Sequence, residues 1–260
     1  MKQNESLRRD VAAIRTQAPL VHNITNFVVM NNTANALLAV GASPVMAHAV
    51  EEVEEMVRLA GALVVNVGTL SPEWVCGMER AMHTAREVGV PIVYDPVGAG
   101  ATAYRNVTNE RLLNVAAPTI IRGNGSEIQA VAAGFGLGST ARTKGVDSTA
   151  GSEAAVAAAC ALSERLGAVV VVSGPTDYIV SGNTVRENSY GTPLMTRVTG
   201  MGCTATAVCG AFAAVNADAA EAAANAMTLM GRCGEQAALA ANGPGSFQVA
   251  FLDALYRFEA

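Results

Sequence analysis

The chain has 260 residues, of which 51% are hydrophobic and only 15% charged, and a net charge of −5. At that length roughly three quarters of the unfolded surface can be buried without a disulfide or metal staple. The acidic balance, with no Lys/Arg run, argues against nucleic acid as a partner. No apolar run reaches the ~18 residues of a membrane span, and the opening MKQNESLRRD lacks the apolar core of a signal peptide. The five cysteines, at 76, 160, 203, 209 and 233, form no CxxC pair, so a reducing cytoplasm is the expected setting. So low a charge also points to outer surface covered by another subunit.

Leu7, Val11 and Ile14 fall at helical spacing and predict an opening amphipathic helix that Pro19 ends. Leu20-Val21-His22 reads as a strand, followed by a helix from about Val28 to Val40 that Gly41 terminates. A short strand at Pro44 to Ala47 and a helix at Glu51 to Ala60 come next. The continuous apolar run Ala62 to Val67 suits a parallel strand covered on both faces. Ser71-Pro72 starts a helix, with Ser71 as cap and Pro72 in the first turn, and Gly89 closes it. The alternation continues with strand Pro91 to Tyr94, a short helix near Asn109 to Ala116, strand Thr119 to Arg122 and helix Ser126 to Ala133. Helix Ser152 to Leu166 and strand Ala168 to Ser173 follow.

This alternation predicts a doubly wound α/β fold, a mostly parallel sheet with helices on both faces. Tyr178 to Val180, Ser181-Gly182-Asn183 and Thr184 to Arg186 read as a hairpin added at the sheet edge. From Thr204 onward the chain reads as helical, with a Gly243-Pro244-Gly245 turn before the last helix. No linker, repeat or charge block divides residues 1–260, so one domain is expected. The run Gly134 to Ser139 superficially suggests dinucleotide binding. It follows a helix rather than a first strand and lacks the full GxGxxG spacing, so a surface loop through Asp147 is the better reading.

In doubly wound sheets ligands gather beyond the carboxyl ends of the strands. Four groups of polar residues are expected there: Asp95; Arg122, Asn124 and Glu127; Ser173 with Gly174; and the turn Thr199-Gly200-Met201-Gly202-Cys203. Each also has a plain structural reading. Asp95 can cap a turn, Glu127 can be a first-turn acid favoured by the helix dipole, Arg122 a surface cation and the glycine turn a tight lead into a buried helix. Together they form a kit for phosphoryl transfer: carboxylates for a hydrated Mg²⁺, a guanidinium for phosphate, and helix N–H groups for developing negative charge. Cys203 is the nearest base or nucleophile, and a helix N-terminus favours its thiolate. At the amino-terminal side, His22, Asn23, Asn26, Asn31 and Asn32 form a polar set, with Val28 and Met46 as apolar walls. Two rival readings remain at this level: a cysteine hydrolase or acyl transferase, which needs a His beside the thiol, and a non-catalytic nucleotide sensor.

The motifs His22-Asn23-Ile24-Thr25-Asn26, Tyr94-Asp95-Pro96-Val97-Gly98-Ala99, Arg122-Gly123-Asn124-x-x-Glu127 and Thr199-Gly200-x-Gly202-Cys203 carry a family resemblance. The chain resembles the hydroxyethylthiazole kinases of thiamine salvage, within the ribokinase-like superfamily, over nearly its whole length. The resemblance implies a ribokinase-like fold without a separate lid. It also implies ATP-dependent, Mg²⁺-assisted phosphorylation of the primary alcohol of 4-methyl-5-(2-hydroxyethyl)thiazole. It places the alcohol against Asn26, Val28, Met46, Gly68 and Gly200. It places the nucleotide near Arg122, Asn124, Ser173 and Gly202, the metal at Asp95 and Glu127, and the base or orienting group at Cys203, where the wider superfamily has Asp. By the same resemblance the chain forms a homotrimer in which Asn26 and Met46 of one subunit face Cys203 of the next.

Overall fold

The computed structural model describes residues 2–137 and 148–259. One eight-stranded sheet runs through them. Its strands are β1 (Leu20–Ile24), β2 (Ser43–Val45), β3 (Ala62–Asn66), β4 (Ile92–Asp95), β5 (Ile120–Asn124), β6 (Val169–Ser173), β7 (Asp177–Ser181) and β8 (Thr184–Asn188), in spatial order β2-β1-β3-β4-β5-β6-β7-β8. Neighbours from β2 to β6 pair in parallel, and β7 and β8 add to β6 antiparallel as the expected edge hairpin.

Alternation along the strands feeds two cores. Val21, Val64, Val93, Ile120 and Val171 pack beneath helices α1 (Lys2–Gln17), α2 (Met30–Val40), α8 (Met201–Ala213), α9 (Ala219–Ala240) and α10 (Pro244–Arg257). Leu63, Val65, Tyr94, Ile121 and Val170 face α3 (Val53–Leu59), α4 (Pro72–Val88), α5 (Ala103–Val115), α6 (Gly125–Gly134) and α7 (Ser148–Leu166). A strand buried on both faces must be apolar at every position, which is why β3 and β6 read as unbroken hydrophobic runs. The cap of α4 is the expected one, with the Ser71 hydroxyl accepting from the Trp74 N–H.

Two elements differ from the sequence reading. Helix α5 begins at Ala103, six residues ahead of the expected Asn109, because the Thr102 hydroxyl accepts the Arg105 N–H and caps a first turn that carries no apolar stripe. A short 3₁₀ turn, Pro193–Arg197, precedes α8, started by Thr192 through the Leu194 N–H. Gly134 ends α6, in agreement with the reading that its glycine run follows a helix. The surface loop expected through Asp147 lies, from residue 138 to 147, outside the described residues.

Helix α8 sits unusually close to the sheet. A Cβ on Gly210 would fall 2.7 Å from Val64 Cγ2 and 3.2 Å from Val21 Cγ1, so only glycine lets the helix axis approach this far. That approach fixes where the amino-terminal turn of α8 meets the strand ends. Gly210→Ala is expected to lower stability by about 1–3 kcal/mol, the usual range for overpacking, read as a shift in urea midpoint at unchanged m-value; an unshifted midpoint would contradict this packing.

Candidate active site

The ends of three strands, β1, β3 and β4, and the start of α8 converge on one polar cluster. Asn66, the last residue of β3, is 1% exposed, and Asp95, the last of β4, is likewise 1% exposed. Asn66 Nδ2 donates to Asp95 Oδ2 at 2.8 Å, and the Thr206 hydroxyl donates to the same oxygen at 2.7 Å. Asn66 Oδ1 in turn accepts from Asn26 Nδ2 at 2.9 Å and from the Gly68 N–H at 3.0 Å. Asn26 Nδ2 also reaches Cys203 Sγ at 3.4 Å, and Asn26 Oδ1 takes the Val28 N–H. Asn26, expected to face Cys203 of a neighbouring subunit, reaches the Cys203 of its own chain. The reason is register, because β1 lies beside β3 and directly under α8.

The glycines are explained by close approach. Gly200 caps α8 with φ +83° and lies against Val29, whose Cγ1 would be 2.7 Å from an added Cβ. A Cβ on Gly202 would fall 2.7 Å from Arg122 Nη1, and one on Gly68 would fall 2.6 Å from Asn26 Nδ2. Arg105 ties two of the loops together, its guanidinium donating to the carbonyls of Val67, Gly68 and Val97 at 2.6–2.8 Å.

Glu127 and Asn124 form a reciprocal capping box at the start of α6. Glu127 Oε2 accepts the Asn124 N–H at 2.8 Å, while Oε1 accepts the Gly98 N–H of the loop after β4 at 2.9 Å. Val28 is 65% exposed, and Met46 is half-buried just beyond β2. His22 is buried, with Nε2 2.7 Å from the Ala47 carbonyl, and burial pushes its pKa down, so it is a neutral clamp on the β2 exit. Trp74, buried, packs between the tilted rings of Phe27 and His48.

Beside the cluster lies a cavity of about 590 Å³ lined by Arg122, Ser173, Gly200 and Gly202 at one end and by Met195, Met227 and Met230 among others. Arg122 Nε and Ser173 Oγ are buried there without a partner among the described residues. Buried donors of this kind require an acceptor, and with the free N–H groups of the first α8 turn they make a place for a group rich in anionic oxygens. Asn26, Val28, Met46, Asp95, Asn124, Glu127 and Cys203 lie outside the lining of that cavity.

The electrostatics correct one expectation. Burial first, and then the Asp95 carboxylate, push the Cys203 thiol up, against weaker lowering by Asn66, Asn26 and Arg122. The helix end does not prevail, and the resting group is a thiol. Among the described residues no His bonds to it, which removes the basis for a Cys–His hydrolase. Sequence reading also passed over Asn66 and Thr206. Asn66 closes a valine run at a strand's carboxyl end as Asp95 does, and that position was the signal.

Burial pushes Asp95 up to about 6, the opposing pulls of Arg122, Thr206 and Asn66 being outweighed, and Glu127 adds to the rise. Two neighbouring carboxylates, one with an oxygen that makes none of these hydrogen bonds, fit a largely hydrated divalent cation, which needs only one or two protein acids. Because Asp95 binds its proton more tightly when folded, its contribution to stability is present below about pH 4 and is lost as pH rises through about 6. Asp95→Asn is therefore expected to stabilise the metal-free protein at pH 8 by on the order of 2–3 kcal/mol and to do little at pH 4. Chelator-treated samples melted at both pH values check this; equal effects would contradict it.

The whole chain has clear relatives. The Hydroxyethylthiazole kinase family matches residues 11–260. A hydroxyethylthiazole kinase of Leptospira biflexa is 56% identical over 96% of this chain and 92% of its own, and one of Syntrophus aciditrophicus is 60% identical over 95% and 90%. The structure of the hydroxyethylthiazole kinase from Pyrococcus horikoshii OT3 superposes with TM-score 0.90 at 42% identity, covering 98% of this chain and 94% of that one. A Bacillus subtilis pyridoxal kinase, solved as an ADP complex, shares the fold alone at TM-score 0.60 and 18% identity over 81% of this chain and 89% of that one. With the match running from the first helix to the last residue, this chain belongs to the hydroxyethylthiazole kinase family.

Proposed function

We propose that this chain transfers the γ-phosphoryl group of ATP to the primary hydroxyl of 4-methyl-5-(2-hydroxyethyl)thiazole, a step of thiamine salvage. Family membership supports the reaction class. The observation that carries the assignment to this site is the junction of the anion-ready cavity, through Gly200 and Gly202, with the Asn26–Cys203 contact. The cavity takes the nucleotide, with its phosphates toward Arg122, Ser173 and the α8 turn. The alcohol lies on the other side of that turn, toward Asn26, Gly68, Val28 and Met46.

In the reaction the alcohol oxygen bonds to the γ-phosphorus, the bond from phosphorus to ADP oxygen breaks, and the alcohol proton passes to an oxygen of the transferred phosphoryl group and then to solvent. A loose transition state needs little early deprotonation, so a thiol suffices to orient the hydroxyl. Asn26 holds the sulfur in place. Arg122 and the α8 N–H groups stabilise charge on the transferring group. Asp95 and Glu127 would hold Mg²⁺, which supplies charge neutralisation on the phosphates. Asn124, bound into the capping box, keeps Glu127 in place for that role. The setting is the cytoplasm, in keeping with five free cysteines.

Incubation with ATP, Mg²⁺ and the thiazole alcohol, followed by phosphorus NMR, is expected to show the alcohol phosphate and ADP; ADP and free phosphate alone would overturn the assignment. Cys203→Ala is expected to slow transfer by ~10²-fold, whereas Cys203→Asp keeps substantial activity because a carboxylate can orient or deprotonate the same hydroxyl. A dead Asp variant, with a trapped wild-type adduct in mass spectrometry, would instead establish covalent catalysis.

The alcohol side is open in the single chain. Phe27 and Val28, each 65% exposed, stand beside Asn26 at its edge, and apolar patches next to a site mark association surfaces. A homotrimer would close it, with a neighbouring subunit walling the substrate near Val28 and Met46. Val28→Glu is expected to dissociate the assembly in analytical ultracentrifugation and to abolish alcohol turnover while ADP binding persists. A wild-type chain that sediments as a monomer would overturn the trimer.

A further inference from the structure

The Asn66 side chain joins the two halves of the cluster. Its carbonyl oxygen takes the Asn26 amide from the alcohol-side loop and the Gly68 N–H, and its amide donates to the carboxylate of Asp95. The orientation is forced. A backbone N–H can only donate, so Oδ1 must face Gly68, which leaves Nδ2 for Asp95, a group that accepts. Asp95 Oδ2 is then held by two donors, Asn66 and Thr206, which fixes the plane of the carboxylate and directs its other oxygen. Asn26, with its carbonyl on the Val28 N–H and its amide shared between Asn66 and Cys203, has its amide plane fixed as well.

Residue 66 is 1% exposed, so no water can substitute for a missing group without a void. Other residues fail for separate reasons. Leucine fills the space and leaves Asn26, Gly68 and Asp95 each short of a partner. Aspartate keeps the shape and still accepts from Asn26 and Gly68, but sets a second carboxylate against Asp95. Only a side chain with an acceptor and a donor at that length serves both neighbours. The neighbouring residue Arg105 holds the same loops from outside, through the carbonyls of Val67 and Gly68, but touches neither Asn26 nor Asp95 in any of these bonds.

We propose that Asn66 is a positioning residue for the transfer, coupling the alcohol-binding loop to the metal-side carboxylate so that the Cys203 thiol and Asp95 are presented in one fixed geometry. It contacts neither reactant and acts through Asn26, Asp95 and the Cys203 thiol, which its side chain also bonds. The inference rests on the kinase reading above. Its consequence is that alcohol binding and the chemical step depend on Asn66 while nucleotide binding does not, since Asn66 is absent from the cavity lining.

The test uses the full chain with Asn66→Ala and the isosteric Asn66→Asp, wild type serving as control. Expected are a ~10²-fold fall in kcat for both, in the range that a misplaced reacting group costs, and a roughly 10-fold weaker alcohol affinity for Asn66→Ala by calorimetry without ATP or metal. ADP affinity is expected within about twofold of wild type, which a misfolded protein would not preserve. In the double variant with Cys203→Ala the kcat loss is expected to be well short of the product of the single losses, as for groups acting as a unit. Multiplicative losses, or parallel weakening of ADP and alcohol, would reduce Asn66 to a structural residue and overturn the proposal. So would an Asn66→Ala enzyme with kcat within threefold of wild type. Failure of wild type itself to phosphorylate the alcohol would instead overturn the kinase reading.

Discussion

A carboxylate buried at the end of a central strand is the constraint around which this structure is arranged. Asp95 sits where water cannot solvate it, and desolvation alone would drive it toward the neutral acid. Two donors on one of its oxygens and the guanidinium of Arg122 oppose that, each from a different element: Asn66 from β3, Thr206 from α8 and Arg122 from β5. The balance still leaves burial ahead, with Asp95 pushed up to about 6. Active sites commonly carry such electrostatic strain, and the fold supports it with packing elsewhere.

That packing has a direction. Two thick apolar cores clamp the sheet from both sides, and small residues on α8 bring its helix axis down against β1 and β3. Because the helix is held close along its length, its first turn is placed rigidly over the strand ends. Thr206 can then reach Asp95 while Cys203, one turn earlier, reaches Asn26. The same turn borders the cavity through Gly200 and Gly202. A single helix start thus faces the cavity with backbone N–H groups and the Asn26 loop with a thiol. The environment that makes this possible also keeps the thiol protonated, and phosphoryl transfer tolerates that better than acyl transfer would.

Much of this was legible from residues alone. The valine-rich runs, the Ser71-Pro72 start and the hairpin around Gly182 have local causes, so their elements and order could be read directly. Asp95, Arg122 and Ser173 follow predicted strands, and the doubly wound rule gathers such ends on one edge. Helix α5 was misread at its start because its first turn depends on a Thr102 cap and has almost no apolar stripe. Asn66 was overlooked because the strand reading carried it inside the valine-rich run Ala62 to Val67.

By itself the sequence determined which segments are strands and helices, how they alternate, and that polar residues collect at the strand ends, since these depend on periodicity, capping and burial of neighbours in the chain. Only the tertiary structure decided which polar residues meet. Asn26 and Cys203 lie 177 positions apart, and Asp95 and Thr206 lie 111 apart. Their contact follows from sheet order and the depth of α8, neither of which is a local property. The rise of the Cys203 pKa was decided the same way: desolvation and the field of Asp95 depend on everything packed nearby, which the local sequence does not display.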